Sequence, residues 1–217
     1  VDRKAIRALV LAGALVGWSG FVGPRLPPTW RVGVHAVGAA ALVYRERTPL
    51  GLRPPELQRG LRLGLGVAAV TVACVAATTV LPRVRSAMAE RELPQSTRSW
   101  LLVRIPVGTV WSEELAFRGA LGTVAADAFG PRWGALLQAT AFGLSHVADA
   151  RSAGESVVGT VLVTGAAGWA FAWLHSRTHS LATPMLAHLA SNEAGAAAAL
   201  AVQRSRAQAS RASICSR

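Results

Sequence analysis

Charge is scarce in this chain: 16% of its 217 residues are Asp, Glu, Lys or Arg, against about a quarter in an ordinary soluble domain. With a mean hydropathy of +0.36, that shortage argues against a soluble fold, because the apolar residues are gathered into long runs. Crossing a hydrocarbon layer as a helix takes roughly 20 residues, and several runs approach that length. Acidic residues are scarcer than basic ones, 11 against 23, which leaves a net charge of +12 and a pI near 11.7. No nucleic-acid partner is expected from this excess. The arginines lie mostly between apolar runs or at the chain ends, where cations hold helix orientation and meet anionic lipid headgroups. Cysteine is nearly absent: Cys74 sits in an apolar run and Cys215 near the C-terminus, so no disulfide framework is indicated. Cys215 is third from the end, not fourth, and the chain is not expected to be prenylated itself.

Apolar runs bounded by Arg, Pro and Gly lie near 5–22, 30–44, 61–81, 99–125, 131–148, 154–174 and 179–203. The expected fold is all-α: a polytopic transmembrane helix bundle of about seven membrane segments, or eight, with a site between helices. It would form one integral membrane domain over 1–217, multi-pass in the cell membrane, with the motif-bearing core at about 97–203. Residues 2–7 are basic and 8–22 apolar, as in a signal peptide, but no small-x-small site stands clear before Pro24, so an uncleaved first helix is expected. The stretch 44–62 holds five arginines and three prolines and reads as a cytoplasmic loop. Seven crossings from a cytoplasmic N-terminus would place the arginine-rich tail outside, against the positive-inside tendency. Either one run fails to cross, or a re-entrant piece lies within 82–98, or the tail breaks the rule. The glycine pairs Gly13/Gly17 and Gly60/Gly64 have helix-contact spacing. Glycine and alanine are abundant throughout, which favours an incidental reading of both pairs.

Ionisable side chains at membrane depth are costly and functional by default, at about 2.5–3.5 kcal/mol each on insertion scales. The fourth run carries Glu113, Glu114 and Arg118. Glu114 and Arg118 are one turn apart and can pair. Glu113 is displaced by about 100° around an α-helix and faces elsewhere, free to meet a wet cavity. One buried salt-bridge network would account for these three alone. In the fifth run Phe142 and His146 share a helix face, and in the seventh His188 and Asn192 do. A lone buried His is commonly a hydrogen-bonded core residue, and a lone Asn commonly joins helices. Three helices each carrying polar groups at one-turn spacing favour convergence on a single site over three unrelated accidents.

Glu113-Glu114-x-x-x-Arg118, Phe142-x-x-x-His146 and His188-x-x-x-Asn192, in that order, resemble the three signature motifs of the CPBP family of intramembrane proteases. That family includes the type II CAAX prenyl endopeptidases and bacteriocin-processing relatives. The resemblance covers about residues 97–195 and implies a peptidase acting at or near the membrane surface on a peptide or protein substrate, with or without a lipid. Amide hydrolysis needs an activated water, an oxyanion stabiliser and a proton for the leaving amine. Glu113 is the candidate base and His146 a group that holds the water. His188 and Asn192 are candidate oxyanion donors, with Glu114 and Arg118 fixing Glu113 from behind.

A zinc site built from Glu113, His146 and His188, with an open fourth position, competes with this metal-free reading, although no HExxH helix is present. No other cofactor is expected. A catalytically silent immunity or scaffolding protein would have been betrayed by loss of a motif residue, and a transporter by two related halves; neither sign is seen. His35, His175 and His179 fall outside the motifs, the latter two flanking a short basic turn and read as interfacial. Trp100, Trp111, Trp169 and Trp173 are assigned to membrane interfaces or to packing between helices.

Overall fold

The computed structural model of the protein describes residues 2–215, without the side chains of Pro28 and of residues 210–215, so the Cys215 thiol lies outside the described residues. Among the described residues the chain is helical and contains no strand. Helix α1 (Arg3–Gly17) opens on Asp2, whose carboxylate accepts from the Lys4 amide at 2.9 Å, satisfying one of the donors a helix N-terminus leaves free. It runs on through a π-helical turn to Arg25. Helix α2 (Pro28–Glu46) begins on a proline, whose missing N–H costs nothing in the first turn. It returns antiparallel to α1, and Arg7 pairs with Glu46 where the two meet. Helices α3 (Glu56–Thr78) and α4 (Pro82–Glu90) follow.

From α5 (Thr97–Ser99) the chain stays helical without a break through two π-helical stretches, Trp100–Trp111 and Glu114–Leu121, into α6 (Gly122–Ser145). Gly130, at φ 77° just ahead of Pro131, breaks α6 into two helices, a conformation that glycine adopts without a Cβ penalty. The short α7 (Val147–Ser152), then α8 (Val157–Thr178) and α9 (Ala182–Cys215), complete the order.

All seven apolar runs therefore form helices. Among the described residues, three helical segments are both long and apolar enough to cross a membrane: Arg3–Arg25, Glu56–Thr78 and Val157–Thr178. Several of the others carry ionisable residues along their length, such as Arg104, Glu113, Glu114 and Arg118 in the helix 97–129, and the piece of α6 beyond Gly130 is short.

Two close contacts position the site. Gly60 and Gly64 of α3 are buried against the start of α9. A Cβ on Gly60 would lie 2.6 Å from Ser180 Oγ, and one on Gly64 2.8 Å from Leu186 Cδ1. The incidental reading of that pair is thus corrected, while Gly13 and Gly17 face open space. Ser180 Oγ also donates to the Gly51 carbonyl at 2.7 Å, and the Leu181 amide to that of Leu50 at 3.0 Å. Together these bonds set the depth at which α9 enters, and so where His188 sits. On the other side α8 lies tight against α6, where a Cβ on Gly168 would meet Phe142 Cδ1 at 2.9 Å.

Candidate active site

The helix 97–129 is π-helical on both sides of Glu113, a widened geometry frequent at functional sites. Glu114 and Arg118 remain one turn apart in it. Their side chains are fully buried, with Arg118 Nε 3.4 Å from Glu114 Oε2, an ion pair without hydrogen-bond geometry. The other carboxylate oxygen, Oε1, accepts from His188 Nδ1 at 2.8 Å. One carboxylate thus joins α9 to the motif helix and faces a guanidinium at the same time.

Arg118 has little else polar around it, since its Nη1 and Nη2 are buried and find no acceptor. Two rings take their place: Arg118 Cζ stands 3.9 Å from the centroid of Phe142 and 4.9 Å from that of Phe171. Each such contact contributes about 2 kcal/mol when desolvated, which offsets part of the several kcal/mol that burying an ion costs. Phe171 also stacks on His188, with centroids 5.1 Å apart and planes at 25°. Phe142 meets His146 edge-on at 4.8 Å and His188 at 6.2 Å.

Glu113 behaves differently from its neighbour. Its side chain is 27% exposed against 0% for Glu114, and it lines a cavity of about 960 Å³. The same cavity is walled by His146, Ser145 and Asp149 on one side and by α1 and α2 on the other. Glu113 Oε2 is nonetheless buried and without a hydrogen-bond partner, 3.8 Å from His188 Nε2. His146 closes α6, and its Nδ1 donates to the Phe142 carbonyl at 2.8 Å, which leaves Nε2 as an acceptor. His188, bonded through Nδ1 to Glu114, likewise keeps Nε2 free. Asn192 is half-buried one turn beyond His188 on α9 and is not part of this hydrogen-bonded group.

Three residues outside the motifs stand at the site. Phe171 carries no ionisable group, and one aromatic in an apolar helix gives no sequence signal. His35, on α2, lines the cavity with a buried, unpartnered Nε2 packed beside Gly23. His175, rather than being purely interfacial, has a buried and unpartnered Nε2 and counts Glu114 and Arg118 among its charged neighbours. For His35, an ionisable group in an apolar run was itself the signal; His175 lies just beyond the run that ends at 174.

The donor chemistry of His146 and His188 suits zinc, because each ring is held through Nδ1 with Nε2 available, as ligating histidines usually are. The spacing does not suit it: among the described residues no three His, Cys, Asp or Glu side chains stand close enough together to hold an ion.

Residues 95–194 match the family described as type II CAAX prenyl endopeptidase Rce1-like. This stretch of the chain is similar to that family. It contains Glu113, Glu114, Arg118, His146, His188 and Asn192, and leaves out α1 to α4. No curated protein and no solved structure matches the chain. The three apolar spans found among the described residues and the segment similar to the Rce1-like protease family indicate a membrane protein.

Proposed function

We propose that the protein is a multi-pass intramembrane endopeptidase of the cell membrane that hydrolyses a peptide bond at or near the membrane surface with a water activated by Glu113. The observation that carries this reading is the Glu113 Oε2 atom, buried and unpartnered 3.8 Å from His188 Nε2, on a side chain that lines the same cavity as His146. A carboxylate oxygen with no hydrogen-bond partner is free to accept a proton from water.

The water sits between Glu113 and His146 Nε2, which accepts its second hydrogen. As its oxygen attacks the carbonyl, Glu113 takes the proton. The oxyanion draws hydrogen bonds from protonated His188, through Nε2–H, and from the Asn192 amide. Glu114 accepts from His188 Nδ1 and holds the ring at that edge, and Arg118 holds Glu114 in place. Collapse of the tetrahedral intermediate breaks the C–N bond, and Glu113 returns its proton to the leaving amine. The peptide reaches the site through the cavity, whose α1–α2 wall is largely apolar (Leu11, Leu15, Val34, Leu42) and suits an apolar or lipidated segment.

The motif-bearing core at about 97–203 does this work within one membrane domain of seven or eight segments. A zinc held by Glu113, His146 and His188 is the competing reading; the Nε2 atoms suit it as donors, whereas the spacing of the three side chains does not. Reconstituting the purified protein and following cleavage of a quenched-fluorescent farnesylated CAAX peptide tests the peptidase reading. Cleavage by the parent chain and none by Glu113→Gln supports it.

A further inference from the structure

We propose that Phe171 of α8, which belongs to none of the three motifs, is a positioning residue that fixes the His188 imidazole for reaction. The inference rests on the role given to His188 above.

A hydrogen bond at one ring atom does not by itself orient a ring. The Nδ1–Glu114 bond of 2.8 Å holds one edge of His188, yet the ring can still tilt about that axis and carry Nε2 away from Glu113. Phe171 removes this freedom: its plane lies 25° from that of His188 with centroids 5.1 Å apart, while Phe142 stands at 89° to the same imidazole. A flat face on one side and a ring edge on another leave one orientation, with Nε2 3.8 Å from Glu113 Oε2.

Phe171 acts on the same histidine by a second route. Its ring also receives the Arg118 guanidinium at 4.9 Å, and Arg118 is the cation that Glu114 faces. One aromatic side chain therefore steadies His188 directly and steadies the carboxylate that His188 donates to. Both contacts use the negative face of the ring, which attracts a guanidinium and, during turnover, an imidazolium. Leucine can fill comparable space but offers neither the flat face nor the quadrupole. The α8 scaffold supports such precision, being capped by Ser156 and packed through Gly168 against Phe142.

The test compares Phe171→Leu, Phe171→Tyr and pentafluorophenylalanine at 171, which keeps the ring shape and reverses the face potential. Two readouts are used on the full chain in detergent micelles. The first is the ring 1H–13C spectrum of labelled histidine, with His188 assigned by its loss in His188→Gln. In Phe171→Leu the His188 ring protons should move downfield as the shielding from the stacked ring is lost, and in Phe171→Tyr they should stay. The second is cleavage of the farnesylated CAAX peptide. There kcat should fall about threefold to tenfold in the leucine and pentafluoro variants with KM unchanged, the size expected for one aromatic pair, and tyrosine should restore it. If the leucine variant does not fold, the pentafluoro protein carries the kinetic test. Unchanged His188 signals with unchanged kcat would overturn the proposal, as would a raised KM at constant kcat, which would make Phe171 a substrate contact. The spectrum decides the placement of His188 even if the peptide is not cleaved. Full activity in Glu113→Gln would instead remove the peptidase reading, whatever Phe171 does.

Discussion

The His188 imidazole donates from Nδ1 to Glu114 Oε1 across 2.8 Å, and both side chains are buried. This bond ties α9 to the motif helix, and its acceptor also faces Arg118 at 3.4 Å. Glu114→Ala would leave a buried guanidinium uncompensated and should cost about 3–5 kcal/mol. Thermal unfolding in detergent measures it. The double variant Glu114→Leu/Arg118→Leu should be less destabilised than either single change, because it removes both charges together. Additive losses would show that the pair is not coupled.

The α3–α9 contact gives a sharper contrast in stability. Gly60→Ala places a Cβ 2.6 Å from Ser180 Oγ and should destabilise by about 1–3 kcal/mol. Gly13→Ala meets nothing within 4 Å and should be neutral or gain up to about 1 kcal/mol from lower chain entropy. Equal melting temperatures for the two variants would contradict the packing described.

His146 is anchored only at its Nδ1 edge, to the Phe142 carbonyl and near Ser145. His146→Gln should leave the fold intact and lower kcat by about 10²–10⁴-fold, the usual worth of a positioned acid–base group. Retention of the parent rate would take His146 out of the reaction.

Metal content separates the two readings of the same side chains. Chelation should leave cleavage unchanged, and the purified protein should contain no stoichiometric zinc. One zinc per chain, lost in His146→Gln and in His188→Gln, would transfer the chemistry to the metal.

The elements that sequence made legible were those with a local cause. Pro131 marked the break in α6 because proline cannot continue a helix and Gly130 supplies the positive φ. Spacing of i,i+4 put Arg118 beside Glu114 and Phe142 beside His146, since one turn separates them in either helix type. Non-local facts were hidden. Nothing in the sequence says that α8 lays Phe171 on His188, or that α2 turns His35 into the cavity, because both depend on which helices become neighbours. Gly60 and Gly64 were passed over for a related reason: in a chain with 21 glycines, close approach to α9 shows only once α9 is in place. The π-helical form around Glu113 has no composition signal of its own.

Glu113→Gln is the most direct measurement of the central claim, since it keeps the size of the side chain and removes its ability to take a proton. Purified alongside the parent chain and assayed on the same farnesylated CAAX peptide, it should unfold at the parent temperature and cleave nothing detectable. A folded Glu113→Gln protein that cleaves at the parent rate would contradict the account.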